Sequence, residues 1–130
     1  MYSQTTKDVT VSVRPSYLEQ ESSPDKNLYV WAYTVKIENK GASTVQLRTR
    51  HWKITDAYGR VQEVHGPGVV GEQPVLKPGE SFEYTSGTPL ATPSGIMTGS
   101  YSMQADDGNL FDVAIPAFSL DSGARPAKLN

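Results

Sequence analysis

The sequence segment that decides the fold is LYVWAYTVKIE, residues 28–38. Its odd-numbered positions are aromatic or aliphatic throughout, whereas its even-numbered positions change from apolar to polar towards the end. Because side chains alternate between the two faces of a β-strand, this pattern predicts a central strand with one fully buried face. The sequence Asn39-Lys40-Gly41 then supplies a turn, since Asn and Gly tolerate left-handed backbone conformations.

The next apolar segment, residues 44–55, breaks this alternation. Val45 and Leu47 point to one face of a regular strand, but Trp52 and Ile54 have the opposite parity. One extra residue between Leu47 and Trp52 would return all four side chains to a common face. The sequence therefore predicts a β-bulge or a bend at this place.

Turn sequences recur along the chain, and the segments between them favour a period of two over the helical period. Two hairpin turns are predicted at residues 56–59 and 106–109, and an exposed loop at 19–26. The first strand is expected to end at Pro15, which lacks the N–H group that a strand ladder requires. The predicted strands are residues 9–13, 28–38, 44–55, 60–64, 81–84, 98–105 and 111–115.

About seven short strands without a convincing helix predict an all-β fold, an antiparallel β-sandwich of the immunoglobulin-like or fibronectin type III-like kind. At this length, residues 1–130 are expected to form a single domain. We expect its ordered core to span about residues 7–120. The C-terminal tail, residues 121–130, is expected to be flexible because it lacks apolar side chains to fix it.

The composition excludes several functional classes. The 130 residues include 12 Lys or Arg and 14 Asp or Glu, a net charge of −2, so the basic excess of a general nucleic-acid binder is absent. With no cysteine, the chain has no disulfide, thiolate nucleophile or Cys-ligated metal site. A polar N-terminus and the lack of an apolar run of ~18 residues argue against a signal peptide and a membrane helix. We expect a cytoplasmic protein that is not membrane-embedded and does not bind nucleic acid.

The sequence GPGVVG, residues 66–71, matches the dinucleotide-binding pattern G-x-G-x-x-G. That pattern requires a following helix, and Pro74 interrupts one here. Two readings stay open: a tight connection that uses glycine conformations, and a nest of backbone N–H groups that binds an anion. The candidate anion nest consists of Gly66, Gly68, Val69, Val70 and Gly71.

Basic side chains occur close to this loop in the sequence. Arginine binds phosphate well because its planar fork donates two parallel hydrogen bonds. If residues 44–55 and 60–64 pair as a hairpin, several of these side chains share an edge or face; the alternative is an ordinary solvated face of a sheet. The candidate supporting residues are Arg48, Arg50, His51, Arg60 and His65.

Catalytic and metal sites find little support in the sequence. No serine lies in a nucleophile-elbow context, and the two histidines lack H-x-x-x-H spacing. We therefore predict no catalytic residue, no metal site of the protein's own and no cofactor. The aromatic residues Tyr29, Trp31 and Tyr33 are interpreted as core packing, with a ligand platform as the alternative.

The combined motifs resemble the ApaG family, and the resemblance runs from Val11 to about Leu120. The stretches that carry it are RHWKITD (50–56), Gly59, VHGPGVVGEQP (64–74), LKPGESFEY (76–84) and GIMTGSY (95–101).

The resemblance to ApaG implies a fibronectin type III-like sandwich. Bacterial members, also called CorD, are associated with cobalt resistance and magnesium efflux, and related domains occur in eukaryotic F-box and polymerase-interacting proteins. The resemblance also suggests a phosphate-containing ligand, such as pyrophosphate or a nucleotide, at the glycine loop.

We therefore expect a non-enzymatic binding module linked to divalent-cation resistance that acts through an as yet unidentified protein partner. The alternative is a phosphate, pyrophosphate or nucleotide binder, with Mg²⁺ entering only through such a ligand. An enzyme acting on phosphoanhydrides is a third class, for which the sequence offers no general base with a partner. The exposed strand edges are compatible with a homodimer.

Overall fold

Two antiparallel sheets make up the structure, a computed structural model that describes residues 1–123. The first sheet has the order β1-β2-β3-β7 and the second the order β5-β4-β8-β9, with β6 pairing with the start of β4. In chain order the strands are β1 (Tyr2–Thr6), β2 (Val9–Tyr17), β3 (Tyr29–Asn39), β4 (Val45–Asp56), β5 (Val61–Pro67), β6 (Val75–Leu76), β7 (Ser81–Leu90), β8 (Ser94–Ala105) and β9 (Leu110–Asp121). The predicted all-β sandwich is confirmed.

Strand β3 lies in the middle of the first sheet, between β2 and β7. Trp31, Tyr33, Val35 and Ile37 are buried on its inner face, as the odd-numbered apolar positions predicted, and Tyr29 is half-buried. Facing them from the second sheet are Trp52, Tyr101 and Phe118, and Trp52 and Phe118 lie within 6.0 Å of the Tyr33 ring, centroid to centroid. The core between the sheets is therefore rich in aromatic side chains.

Strand β4 contains the predicted bulge. Leu47 pairs with Met103 and Thr49 pairs with Ser102, so Arg48 is one residue more than β8 can match. The extra residue lets Leu47 and Trp52 both enter the core, where each is at most 3% exposed.

Residues 1–123 form nine strands, two more than the seven predicted. The additional strands are β1 and β6. Strand β1 carries mainly polar side chains, and its ladder to β2 consists of backbone hydrogen bonds that side-chain patterning cannot reveal. Strand β6 has two residues. The predicted loop at 19–26 contains two single 3₁₀ turns, Glu19–Glu21 and Pro24–Lys26.

The expectation that Pro15 ends the first strand was wrong. Strand β2 continues to Tyr17, and Pro15 pairs with Tyr33 of β3. On the other side of β2, the ladder with β1 reaches only as far as Val13, which pairs with Tyr2. Beyond that pair β2 is an edge strand, where a proline without an N–H is tolerated.

Both predicted hairpin turns are present. Gly59 N–H donates to the backbone carbonyl oxygen of Asp56 at 3.0 Å in the β4–β5 turn. Gly108 N–H donates to the backbone carbonyl oxygen of Ala105 at 2.9 Å in the β8–β9 turn.

At the C-terminal end, Asp121 is still part of β9, and positions 124–130 of the predicted flexible tail lie outside the described residues. Across residues 1–123, no helix is long and apolar enough to cross a membrane.

Replacing Gly99 by Ala should destabilise the sandwich strongly. A Cβ at Gly99 would lie 2.2 Å from the carbonyl oxygen of His51 and 3.2 Å from the Trp52 ring. Because both neighbours belong to the adjacent strand β4, we expect Gly99→Ala to lower the free energy of unfolding by about 3 kcal/mol in urea denaturation. The matched control Gly108→Ala, where the new Cβ meets open space at φ +89°, should cost about 1–2 kcal/mol. Equal losses in both variants would contradict this account of strand packing.

Candidate functional site

The glycine loop is attached to the bulge in β4. Gly68 N–H donates to the carbonyl oxygen of Arg48 at 2.9 Å. The side-chain amide of Gln73 donates to the same oxygen at 2.8 Å. The carbonyl group at the bulge therefore holds both ends of the loop.

The tip of the loop is a two-residue turn. Val69 N–H donates to the backbone carbonyl oxygen of Glu72 at 2.8 Å, and Glu72 N–H donates to the backbone carbonyl oxygen of Val69 at 2.9 Å. The central residues Val70 and Gly71 have φ values of +44° and +82°, the signs that a type I′ turn requires. A β-branched residue such as Val70 rarely adopts positive φ, so the surrounding contacts must hold this turn in place.

Close approach of neighbouring atoms requires glycine at position 68 and favours it at position 66. A Cβ at Gly68 would lie 2.2 Å from the carbonyl oxygen of Glu72, and Gly68 itself has φ +61°. A Cβ at Gly66 would lie 2.9 Å from the guanidinium carbon of Arg50. The motif is thus explained first by the path of the backbone.

The anion nest predicted from Gly66, Gly68, Val69, Val70 and Gly71 is not formed as a run of free N–H groups. The N–H groups of Gly68 and Val69 are consumed by hydrogen bonds to Arg48 and Glu72. Within residues 1–123, the N–H groups of Val70 and Gly71 have no hydrogen-bond partner. The turn therefore leaves two donors at its tip instead of a continuous nest.

Arg50 supports the loop from the core side. Its Nη1 donates to the carbonyl oxygens of Pro67 and Gly68, each at 2.9 Å. Because the bulge shifts the phase of β4, Arg50 shares the inner face with Trp52, and Gly66 leaves room opposite it on β5. The Nε and Nη2 groups of this half-buried guanidinium make no hydrogen bond with other residues in the described part of the chain.

A cavity of about 200 Å³ lies between Arg50, the tip of the loop and the first sheet. Strands β3 and β7 contribute phenol and hydroxyl groups to it, and β4 contributes the guanidinium. Its lining residues are Tyr33, Arg50, Trp52, Val69, Val70, Gly71, Tyr84 and Ser86.

Three buried phenols extend from this cavity into the core. Burial raises the pKa of Tyr33, an effect that the neighbouring Ser86 and Arg50 partly offset. Burial also raises the pKa values of Tyr84 and Tyr101, whose hydroxyl groups share a hydrogen bond. All three side chains therefore remain neutral hydrogen-bonding groups at physiological pH.

The other predicted basic residues do not line the cavity with Arg50. The guanidinium of Arg48 donates to the Gln46 side chain at 3.2 Å. Arg60 pairs with Asp56 at 2.7 Å at the far end of the hairpin, separated from the loop by the seven residues of β5, or roughly 20 Å. His51 and His65 form a cross-strand pair on the outer face. Of the two readings of these basic residues, the positions described here fit the ordinary solvated face of a sheet better than one shared patch.

The predicted site residues do not include the contribution of the first sheet to the cavity. Tyr33 is predicted to be a core residue, and it does lie in the core, but Tyr84 and Ser86 of β7 are not among the predicted site residues. Tyr84 pairs with Val35 and Ser86 with Tyr33, so their positions follow from the β3–β7 register. Alternation along β7 is the signal that could have found them, since Tyr84 and Ser86 have the same parity.

Comparisons with known proteins agree with the motifs. The family model described as the ApaG domain matches residues 19–105, two thirds of the chain. The chain belongs to the ApaG family. The matched segment includes β3, the bulge, the glycine loop and the buried phenols, so the complete cavity lies within the ApaG domain.

Relatives in the ApaG family match nearly the full chain. A Protein ApaG of Paramagnetospirillum magneticum is 67% identical over 130 residues and covers 100% of both chains. One from Rhodospirillum centenum is 68% identical over 122 residues, 94% of each chain. A crystal structure of an ApaA protein of Bordetella pertussis has a TM-score of 0.86 at 54% identity, covering 88% of this chain and 93% of that one.

The buried phenols predict an effect of alkaline pH on stability. Unfolded phenols ionise near pH 10, whereas burial holds the pKa values of Tyr33, Tyr84 and Tyr101 above that value. Between the two values the unfolded state has released protons that the folded state retains, so stability should fall as pH rises above about 10. Ultraviolet titration should show a smaller tyrosinate signal in the folded chain than in the urea-unfolded chain. Coincident titration curves would contradict the burial of these groups.

The loop geometry predicts different costs for two glycine substitutions. Gly68→Ala forces a backbone clash with Glu72 in a left-handed conformation and should lower the free energy of unfolding by about 2–4 kcal/mol. Gly71→Ala meets no atom within 4 Å and should cost about 1 kcal/mol, from its φ alone. Urea unfolding of both variants measures this difference. A larger loss for Gly71→Ala than for Gly68→Ala would refute the assignment.

Proposed function

We propose that this ApaG-family protein is a non-catalytic binding domain whose cavity takes a phosphate-type anion at Arg50. The observation that supports the proposal is the charge of the cavity. Arg50 is its sole charged lining residue among those described, and none of the ion pairs within residues 1–123 involves it. A partly desolvated cation without a counter-charge favours the binding of an anion next to it.

The remaining lining groups suit the same ligand. The hydroxyl of Ser86 and the phenols of Tyr33 and Tyr84 can donate to anionic oxygens. The unpaired N–H groups of Val70 and Gly71 belong to the same cavity wall. The cavity thus combines one cation with several neutral donors and no carboxylate.

The size of the cavity limits the ligand. About 200 Å³ corresponds to roughly seven water molecules at about 30 Å³ each. That space suits a phosphate or pyrophosphate group, so a nucleoside attached to it would extend into solvent. Mg²⁺ would enter with the ligand, because Mg²⁺ in such sites is bound largely through substrate phosphates.

The same groups argue for binding without catalysis. The phenols that line the cavity have raised pKa values and stay neutral, so none is a base near pH 7. The two histidines lie on the outer face and do not line the cavity. Hydrolysis of a phosphoanhydride would need a base that activates water, and no lining residue supplies one.

A second candidate is a protein partner, as the association of ApaG proteins with cobalt resistance and magnesium efflux suggests. Strand β5 forms an edge of the second sheet. Its first three residues are exposed, with Val61 at 52%. An extended segment of a cytoplasmic partner could add a strand along this edge.

Binding of pyrophosphate and inorganic phosphate should be measured by amide NMR and calorimetry with matched arginine variants. We expect saturable shifts at Val70, Gly71, Ser86 and their neighbours in the parent protein. Arg50→Gln should lose saturable binding because it removes the positive charge of the site, and Arg60→Gln, which removes an arginine at the far end of the hairpin, should bind as the parent does.

Ser86→Ala provides a milder test, since it removes one donor without touching the loop. It should weaken binding severalfold while leaving the urea midpoint close to that of the parent. No saturable shift with millimolar pyrophosphate, or equal affinity in the parent and Arg50→Gln, would overturn the proposed site.

A further inference from the structure

A cluster of metal-ligating side chains lies on the outer face of β4 and β5, away from the cavity. His51 and His65 face each other across the two strands, and their rings stack with centroids 4.1 Å apart and an interplanar angle of 10°. Glu63, two residues before His65 on β5, places its Oε1 2.8 Å from His51 Nε2. One ligand atom of each residue lies within 4.8 Å of the other two.

We propose that His51, Glu63 and His65 form a binding site for a divalent first-row transition-metal ion, such as Ni²⁺ or Zn²⁺. Neutral imidazole nitrogens suit Zn²⁺, Cu²⁺ and Ni²⁺, and one carboxylate supplies a single negative charge. Ca²⁺ and Mg²⁺ prefer oxygen ligands, and this cluster offers one oxygen-bearing side chain against two nitrogens. The chemistry therefore selects transition metals over the alkaline-earth ions.

The backbone supports such a site. Strand β4 is paired on both sides, with β5 and with β8, so the two histidines start from fixed positions on neighbouring strands. Zinc–nitrogen bonds are about 2.0–2.1 Å long, which requires the three ligand atoms to approach one another more closely than 4.8 Å. The side chains of His51 and Glu63 are 34% and 54% exposed, and His65 is also exposed, so small rotations about their side-chain bonds can close the gap.

The surroundings leave the site open on its outer side. Lys53 lies opposite Glu63 on β4, and Ser100 of β8 lies opposite His51. Neither side chain forms an ion pair or hydrogen bond with the cluster in the described part of the chain. Three protein ligands occupy one side of the ion, so its other coordination positions are available to water or to a ligand from solution.

The sequence did not reveal this cluster because its histidines are fourteen residues apart. The absence of H-x-x-x-H spacing excludes a pair on one turn of a helix. It does not exclude a pair brought together by the register of a hairpin. The prediction that the protein has no metal site rested on that spacing, and the proposed site differs from it for this reason.

Titration of the protein with Ni²⁺ and with Zn²⁺ tests the proposal, with calorimetry for stoichiometry and amide NMR for location. We expect one ion per chain and paramagnetic broadening by Ni²⁺ centred on His51, Glu63 and His65. His51→Ala and His65→Ala should each lose saturable binding, and Glu63→Gln should weaken it. Lys53→Ala, on the same face of β4, should bind at least as tightly as the parent, since it removes a nearby positive charge. Mg²⁺ should give no saturable signal.

Urea midpoints of these variants, all at half-exposed or exposed positions, show whether each one is folded. Saturable binding that persists in folded His51→Ala or His65→Ala, or broadening centred elsewhere, would overturn the proposal. Unchanged affinity in Glu63→Gln would overturn the three-ligand site, leaving a simple histidine pair. Because Arg50 takes no part in this cluster, Arg50→Gln should bind Ni²⁺ as the parent does, which separates this test from that of the anion cavity.

Discussion

The structure depends on one additional residue, Arg48, inserted into β4 between Leu47 and Thr49. Side chains alternate with a period of two along a strand, so a single extra residue reverses which positions face the core. Without it, His51 would point inwards and Trp52 outwards. The bulge also frees the carbonyl group of Arg48, which accepts hydrogen bonds from Gly68 and Gln73. The packing of the second sheet and the path of the glycine loop share this one cause.

The bulge also separates two kinds of chemistry on the two faces of β4. On the inner face, Arg50 supports the loop and supplies the charge of a small cavity lined by hydroxyl groups and phenols. On the outer face, His51 meets Glu63 and His65. A guanidinium among neutral donors favours an anion, whereas two imidazoles and a carboxylate favour a divalent transition-metal cation. Adjacent residues of one strand therefore belong to two proposed sites of opposite charge preference.

The sequence predicted the features that depend on local alternation and turn chemistry. The buried face of β3, the bulge and both hairpin turns all follow from the order of apolar, Gly and Asn or Asp residues. Side-chain patterning could not predict β1, because its pairing with β2 is made by backbone groups. It also could not predict that β2 continues past Pro15, because proline is tolerated there only where the ladder with β1 has ended, at Tyr2.

The candidate site was predicted less well, for a related reason. Glycines indicate where the backbone turns, but not which N–H groups remain free after partners such as Arg48 and Glu72 have accepted hydrogen bonds. The cavity also needs Tyr84 and Ser86 from the other sheet, which only the β3–β7 register places there. The predicted turn at 56–59 would set His51 opposite Val64. The hairpin instead pairs Thr55 with Val61, one residue further along, and so brings His51 opposite His65.

The most direct test of the account is nuclear Overhauser spectroscopy of the free protein in solution, directed at two adjacent residues. The bulge predicts contacts of the Arg50 guanidinium protons with protons of Pro67 and Gly68, and slow exchange of those guanidinium protons with water. It also predicts that the His51 ring contacts His65 and no core residue. Contacts of the His51 ring with core residues, together with rapidly exchanging Arg50 protons, would contradict the bulge, because they would mean that His51 and not Arg50 faces the core.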